Sequence, residues 1–312
     1  MKTIPSSLFA ACCATALNAA SPFQFDRNGE DSLSLTEHGR PVYTFQLTPK
    51  SLDGKLPRAN YLHPVYSPGG TLLTEDFPAD HLHHRGIFWA WHQIRVNGVG
   101  VADSWVCQDI EWRTSKEVSL SHGLRSDENS ARLEVLREWA VGSDARHIVR
   151  EHVLITAHRL DARFGRRLDF TLRLLALVDG VTLGGSDDVK GYGGFSPRIR
   201  LAEDVRFHSR DGEVEPEKTA VAAGPWLDMT ETLEDRFTGM TMMVHPSHPD
   251  FPLKWILRSK RSMQNPQWPG RTPVPLSRER DTVLRYRLLL HDLPLSTKEL
   301  ETEWRRYSEA AD

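Results

Sequence analysis

The chemistry of this chain is concentrated between Tyr61 and Trp112. There Asp76, Asp80, His81, His83, His84, Arg85 and His92 lie among Trp89, Trp91, Trp105 and Trp112. Titratable groups set beside large aromatics are the usual lining of a concave, partly dry ligand site. In the run Asp80-His81-Leu82-His83-His84-Arg85, the imidazoles titrate near neutral pH and can act as general acid or base beside a carboxylate. Imidazole nitrogen also binds divalent metals, the one cofactor the sequence suggests, and His81 and His83 are the candidates because they share a side of an extended segment. His84 would point away, and neither H-E-x-x-H nor C-x-x-C occurs. A third reading is a loop tied down by imidazole hydrogen bonds. Arg85 offers five coplanar donors, suited to a carboxylate or sugar hydroxyls and equally to a salt bridge with Asp76 or Asp80.

Two further groups follow. Asp187, Asp188 and Lys190 precede Tyr192, Gly193, Gly194 and Arg198, where glycine would let backbone approach a ligand closely. The segment matches neither a P-loop nor a dinucleotide fingerprint, and alone it reads as a solvated loop. Later come Trp226 and Asp228, His245-Pro246-Ser247-His248-Pro249, and Trp255 with Asn265-Pro266. His-Pro repeats at a strand end either present imidazoles at a rim or simply make a rigid turn.

The elements that must position these residues read as short strands. Leu33 to Thr36 and Val42 to Leu47 flank the turn His38-Gly39-Arg40-Pro41, and Asn97-Gly98 after Gly86 to Val96 is the best hairpin signal in the chain. Tyr61 to Tyr66 runs into the turn Ser67-Pro68-Gly69-Gly70. Glu75 to Arg85, polar and holding Pro78, is expected to be an irregular loop. More strands are expected at Glu117 to Ser121, Ala131 to Val141, His147 to Ala157, Arg166 to Val178, Phe195 to Leu201, Val205 to His208, Thr238 to His245, Leu253 to Leu257 and Thr282 to Leu290. Leu168, Phe170, Leu172 and Leu174 alternate with polar residues, the period of a sheet with one buried face. A single helix is signalled, by a Ser296/Glu299 capping box and the spacing of Leu300, Trp304 and Tyr307. The pattern predicts an all-β antiparallel sandwich with a C-terminal helix.

At 312 residues one large β domain can bury a full core. Residues 1–20 read as an export signal: Lys2 precedes the apolar stretch Leu8 to Ala19, with small residues at Ala14, Ala16, Ala19 and Ala20. Its removal would take net charge from -3 to -4 and leave Cys107 as the sole cysteine, so no disulfide framework is expected. A lipoprotein-type cleavage before Cys12 ranks lower because so few apolar residues precede it. The mature chain, 21–312, is expected to be one domain, periplasmic or extracellular, with no membrane span and no basic stripe for nucleic acid. Nine Trp and fourteen His suit a sugar cleft, although large aromatics also fill β-sheet cores.

Several blocks together resemble a known family: His63-Pro64-Val65-Tyr66-Ser67-Pro68-Gly69, Asp76-Phe77-Pro78, His83-His84-Arg85-Gly86, Asp188-Val189-Lys190-Gly191-Tyr192-Gly193-Gly194-Phe195 and His245-Pro246-Ser247-His248-Pro249. In this order they resemble the bacterial "methane oxygenase PmoA-like" family, from about Tyr61 to Tyr307. That family usually has asparagine where this chain has His248. A methane monooxygenase subunit would need several apolar spans of roughly twenty residues, and the sequence has none, so the label is not read as an activity. The resemblance implies a sandwich akin to the galactose mutarotase-like supersandwich, in which a His acid and a carboxylate base often act on a sugar.

The reading that joins these strands is an exported carbohydrate-active enzyme, an epimerase, lyase or hydrolase, acting on a small sugar or oligosaccharide in a Trp-lined cleft. In it His83 or His84 is the acid and Asp80 or Asp188 the base. His63, Arg85, Lys190, Arg198 and His245 bind substrate, with Trp89, Trp91 or Trp226 as stacking surface. The alternatives are a non-catalytic carbohydrate-binding protein and a metal-dependent oxygenase or hydrolase.

Overall fold

The computed structural model describes residues 21–114 and 124–310; the expected export signal and the strand expected at Glu117 to Ser121 lie outside them. Period-2 alternation builds the larger sheet. Along Arg166–Ala176 the residues Leu168, Phe170, Leu172 and Leu174 are buried, while Asp169, Thr171 and Arg173 face outward and are half-buried. This strand pairs antiparallel with Arg146–His158 and Thr282–His291. On one side the ten-stranded sheet continues through Ser130–Val141 to Ile110–Thr114, with Leu124–Ser126 on its flank. On the other it runs through Arg236–Val244, Trp226–Leu233 and Arg206–Ser209 to Gly212–Glu213.

The second sheet has six strands in the order Phe23–Asn28, Ser32–Glu37, Arg40–Gln46, Tyr61–Val65, Ile87–Ala90 and Gly194–Pro197. Its inner residues Leu33, Leu35, Phe45, Leu62, Ile87 and Trp89 share one core with Leu133, Val153, Ile155, Phe170, Leu172 and Leu288 of the larger sheet. Each such side chain contributes about 1.5–3 kcal/mol on burial. The result is an antiparallel β-sandwich. Polar ties also cross it: the buried Glu151 carboxylate accepts from the Trp89 and Trp139 indoles and from Asn60 Nδ2.

The helix Thr297–Ser308 begins at the Ser296/Glu299 capping box, as the spacing predicts. It covers the outer face of the larger sheet, where Leu300 and Tyr307 pack on Trp226, Met243 and Leu289. That cover explains why Thr282–His291 is buried on both faces toward its C-terminal end.

One expected strand breaks in two. Gly86 to Val96 reads as continuous, but Ile87–Ala90 belongs to the six-stranded sheet and Gln93–Val96 to a separate four-stranded one. Ser104 causes the break locally: its backbone N–H donates to Trp91 O (3.0 Å), and its Oγ accepts from the Trp91 N–H (2.8 Å). Trp91 and His92 therefore stand between sheets. Beyond them Asn97 and Gly98, at φ 50° and 80°, close the expected hairpin to Val99–Ala102.

Candidate functional site

Within Ile87–Ala90, Ile87 and Trp89 face the core, while Phe88 and Ala90 face outward beside Tyr61 and Trp105. The loop from Glu75 to Arg85, irregular as expected, folds over this outward face. Arg85 pins it: its guanidinium is fully buried against the Phe77 ring (3.4 Å) and Tyr61 ring (4.8 Å). It donates to Asp76, Tyr61 Oη (2.5 Å), Lys50 O (3.0 Å) and Leu56 O (3.3 Å). Arg85 is thus an internal anchor, fully buried and with four of its five donors engaged by the protein, and of its two readings the salt bridge to Asp76 is the one present.

The anchored loop brings three imidazoles together. The His81 and His84 rings stack with centroids 4.6 Å apart, and His83 meets His84 edge-on at 4.6 Å. His84 is buried against Trp105 and Phe88. Burial, then the neighbouring His83, His81 and Arg198, pulls its pKa down to about 2. Burial and the Arg58 charge bring His83 to about 4. Both are therefore neutral imidazoles at neutral pH, so neither carries the proton an acid would donate. His83 makes no hydrogen bond to the protein among the described residues, so both its ring nitrogens are open.

The carboxylates expected as bases are already engaged. Asp80 takes a bidentate pair from Arg198 (2.8 and 3.0 Å) and a bond from His81 Nδ1 (2.7 Å). Burial works against ionisation here, but the bonds from Arg198 and His81 outweigh it and hold the carboxyl at about 2. Arg198 in turn spends Nε on Glu75 (2.7 Å), so it orients Asp80 and His84 rather than substrate. Asp188 Oδ1 accepts from Ser186 Oγ, Lys190 N and Gly191 N, and these bonds overcome burial to lower its pKa. The glycines of that loop serve backbone packing instead of a ligand: a Cβ on Gly185 would collide with Gly191 O.

A better-placed base stands on the broken strand. His92 Nδ1 donates to Asp103 Oδ2 (2.8 Å), while Asp103 Oδ1 accepts from the backbone N–H groups of Trp105 (2.9 Å) and Val106 (3.1 Å). That bond fixes the tautomer and leaves the His92 Nε2 lone pair free, buried and without a partner. The His92 ring stacks on Trp105 at 5.3 Å and meets Tyr192 edge-on at 5.2 Å. Tyr192, half-buried and 4.9 Å from Trp105, has a hydroxyl without a protein partner among the described residues. Burial and then the Asp188 and Asp103 charges raise its pKa, keeping it a phenol. Around Trp105 the fold thus gathers His83, His92, Tyr192 and Arg58 with open hydrogen-bonding capacity.

Other expected site residues lie elsewhere. Trp89 and Trp91 are core side chains, bonded to Glu151 and to Trp268 O. Trp226 and His245 sit across the sandwich under the helix, Trp226 donating to Glu301 and His245 packing on Tyr307. Eight of the nine tryptophans are buried, and Trp304, on the helix itself, is half-buried against the sheet; of the three expected as stacking surface, Trp89, Trp91 and Trp226, none is exposed. His63 belongs to a neighbouring cluster with Thr74, Asp76 and Lys50, and burial brings its pKa to about 4. His248, the departure from the resembled pattern, bonds Tyr286 Oη (2.7 Å) in the core. For the metal reading, His81 and His83 meet no third donor: among the described residues no three His, Cys, Asp or Glu side chains are arranged to hold an ion.

A family model matches residues 32–305, spanning both sheets and every residue of this cluster. The chain belongs to the family of unknown function DUF6807. No protein with a curated description matches it. Among the described residues no helix is long and apolar enough to cross a membrane.

Proposed function

We propose that this DUF6807 chain is an exported carbohydrate-active enzyme that moves protons with imidazole and phenol groups, of the epimerase or lyase type rather than a carboxylate-pair hydrolase. One observation carries the reading: the His92–Asp103 pair, with Nε2 buried and without a hydrogen-bond partner, its ring packed on Tyr192 and close to His83. A histidine oriented by a carboxylate is a general base whose second ring nitrogen keeps its lone pair unengaged. The hydrolase alternative would need a carboxylic acid of raised pKa facing a second carboxylate. Asp80, Asp103 and Asp188 are each occupied as acceptors, and Asp80 and Asp188 have lowered pKa values.

In this reading His92 Nε2 takes a proton from a sugar carbon next to a carbonyl or carboxylate. Then either Tyr192 Oη delivers its proton to the opposite face of that carbon, giving an epimer, or the substituent on the next carbon departs as an alcohol, taking that proton from Tyr192 Oη and leaving a double bond. The His92 imidazolium then gives its proton to solvent, and the tyrosinate recovers one. The sandwich is the coarse form of the mutarotase-like supersandwich, and we place the chain there as part of the proposal. The test is incubation with a sugar and oligosaccharide panel in D₂O, read by NMR and mass spectrometry. Deuterium entry at one ring carbon or an unsaturated product is expected. Ligand binding without either would make the protein a non-catalytic carbohydrate binder.

A further inference from the structure

Arg58 sets a condition on what the site can hold. It ends the strand Lys55–Arg58 and is 1% exposed, with Cζ 4.7 Å over Phe88 and 5.7 Å over Trp112. Nη2 donates to the carbonyls of Ser104 and Trp105, both at 2.8 Å. Nε is buried without a partner, and Nη1 has no protein partner among the described residues. Of the five other buried arginines, four are ion-paired to carboxylates: Arg85 to Asp76, Arg166 to Glu37, Arg198 to Asp80 and Glu75, and Arg287 to Asp169. No carboxylate lies within ion-pair distance of Arg58 among the described residues. A buried cation is costly unless an anion compensates it. The nearby Asp103 is already committed to His92 and two backbone N–H groups.

A second observation lies beyond Tyr192. A hollow of about 460 Å³ is lined by Lys190, Lys218, Arg258 and Lys260, with Glu217 the only carboxylate on its wall. Arg258 donates to the carbonyls of Glu217, Leu257 and Lys218 and, among the described residues, to no carboxylate. The chain as a whole is acidic, at -3, so this local excess of cations does not follow from composition.

Resting on the function proposed above, we infer that the substrate is an acidic oligosaccharide: a uronate carboxylate meets Arg58 beside His83 and His92, and neighbouring uronates follow the Lys190–Arg258 hollow. The chemistry agrees with the geometry. A proton next to a carboxylate ion is hard to remove because charge accumulates on the carboxylate oxygens, and a buried guanidinium stabilises that charge where water would not.

The test is calorimetric titration of the full chain with a panel of oligouronates, their carboxyl-reduced neutral counterparts, and sulfated neutral oligosaccharides. An oligouronate is expected to bind at least about tenfold more tightly than its reduced form, an amount that one charge-assisted hydrogen bond supplies, and to weaken as salt rises. Because an Arg58 substitution risks the fold, the variant is Lys190→Gln with Lys260→Gln, both at the hollow's surface. It should melt like the parent and bind the oligouronate about three- to tenfold more weakly, as the loss of two exposed charges implies. Equal binding of the reduced sugar, binding of sulfated sugars alone, or no oligouronate binding overturns the inference. Turnover of neutral sugars only would remove it while leaving the enzyme reading intact. Tight oligouronate binding without turnover would do the reverse.

Discussion

Asp103→Asn probes the site with little change of shape. Oδ1 of Asp103 faces two backbone N–H groups, at 2.9 and 3.1 Å. An asparagine must keep its oxygen there, because an amide NH₂ would meet two donors. Its NH₂ is therefore forced toward His92 Nδ1, which can no longer donate and must accept. The imidazole proton moves to Nε2, and the lone pair that serves as base is gone. The stability cost is the exchange of one charge-assisted hydrogen bond for a neutral one, about 1 kcal/mol. The activity cost is larger: a positioned general base is worth about 10²–10⁴-fold. The assay is deuterium exchange or product formation on the best substrate of the panel, with a melting curve as control and ¹⁵N shifts of His92 to report the tautomer. His92→Ala and the double variant should lose no more than Asp103→Asn alone, since the two residues act as one unit. Asp103→Asn activity within about threefold of the parent, set against the expected 10²–10⁴-fold, would refute the dyad as the base, most clearly if the tautomer has switched.

Glu151→Ala should destabilise by about 3 kcal/mol or more, because it leaves two indole N–H groups and the Asn60 amide buried and unmatched; chemical denaturation reads it, and Glu151→Gln should recover part of the loss. The pKa values of His83 and His84, depressed to about 4 and about 2, mean the unfolded chain binds protons below about pH 6.5 that the folded chain refuses. Their contribution is full above that pH and shrinks as pH falls toward 4, so His84→Gln should flatten the fall in melting temperature across that window; an unchanged slope would count against a buried neutral imidazole. Gly98→Val, at φ 80° in the hairpin turn, should cost about 1 kcal/mol or more of backbone strain and lower turnover more than melting predicts, since the hairpin brings Asp103 alongside His92.

How much of this is legible in the sequence depends on the range of the interaction. Strand alternation, the Asn97-Gly98 turn and the Ser296 cap are local signals, and each marks its element. His83, His84, Asp80 and Arg198 stand out by type and do converge, but their roles are settled by partners distant in sequence, such as Arg198 with Asp80. Trp89, Trp91 and Trp226 look like sugar platforms by type alone, yet side-chain alternation on Ile87–Ala90 turns Trp89 inward, and nothing near it in sequence says which face will be covered. Arg58 carries no signal at all, because its distinction is a missing partner. Asp103 is different. Its closeness to His92 could be read only in part: the turn pairs Val96 with Val99 and Arg95 with Gly100, but an irregularity then sets Ile94 opposite Ala102, a register that puts Asp103 across from Gln93, next to His92.

That register explains why the base sits where the strand breaks. In an unbroken strand His92 would join the ladder, and its side chain would be held to the face that alternation dictates. Ser104 takes both the N–H and the carbonyl of Trp91, which releases the next residue from the six-stranded sheet and lets its ring turn between Trp105 and Tyr192. The Ser104 carbonyl also anchors Arg58. The residues from Asp103 to Trp105 therefore orient the imidazole, break the strand that carries it, and hold the guanidinium beside it. A site built this way keeps its geometry only while the four-stranded and six-stranded sheets stay in register. A substitution that changes the shape of that tripeptide consequently disturbs the site's proton chemistry and the stability of the hairpin together, which is why a shape-preserving change at Asp103 is the informative one.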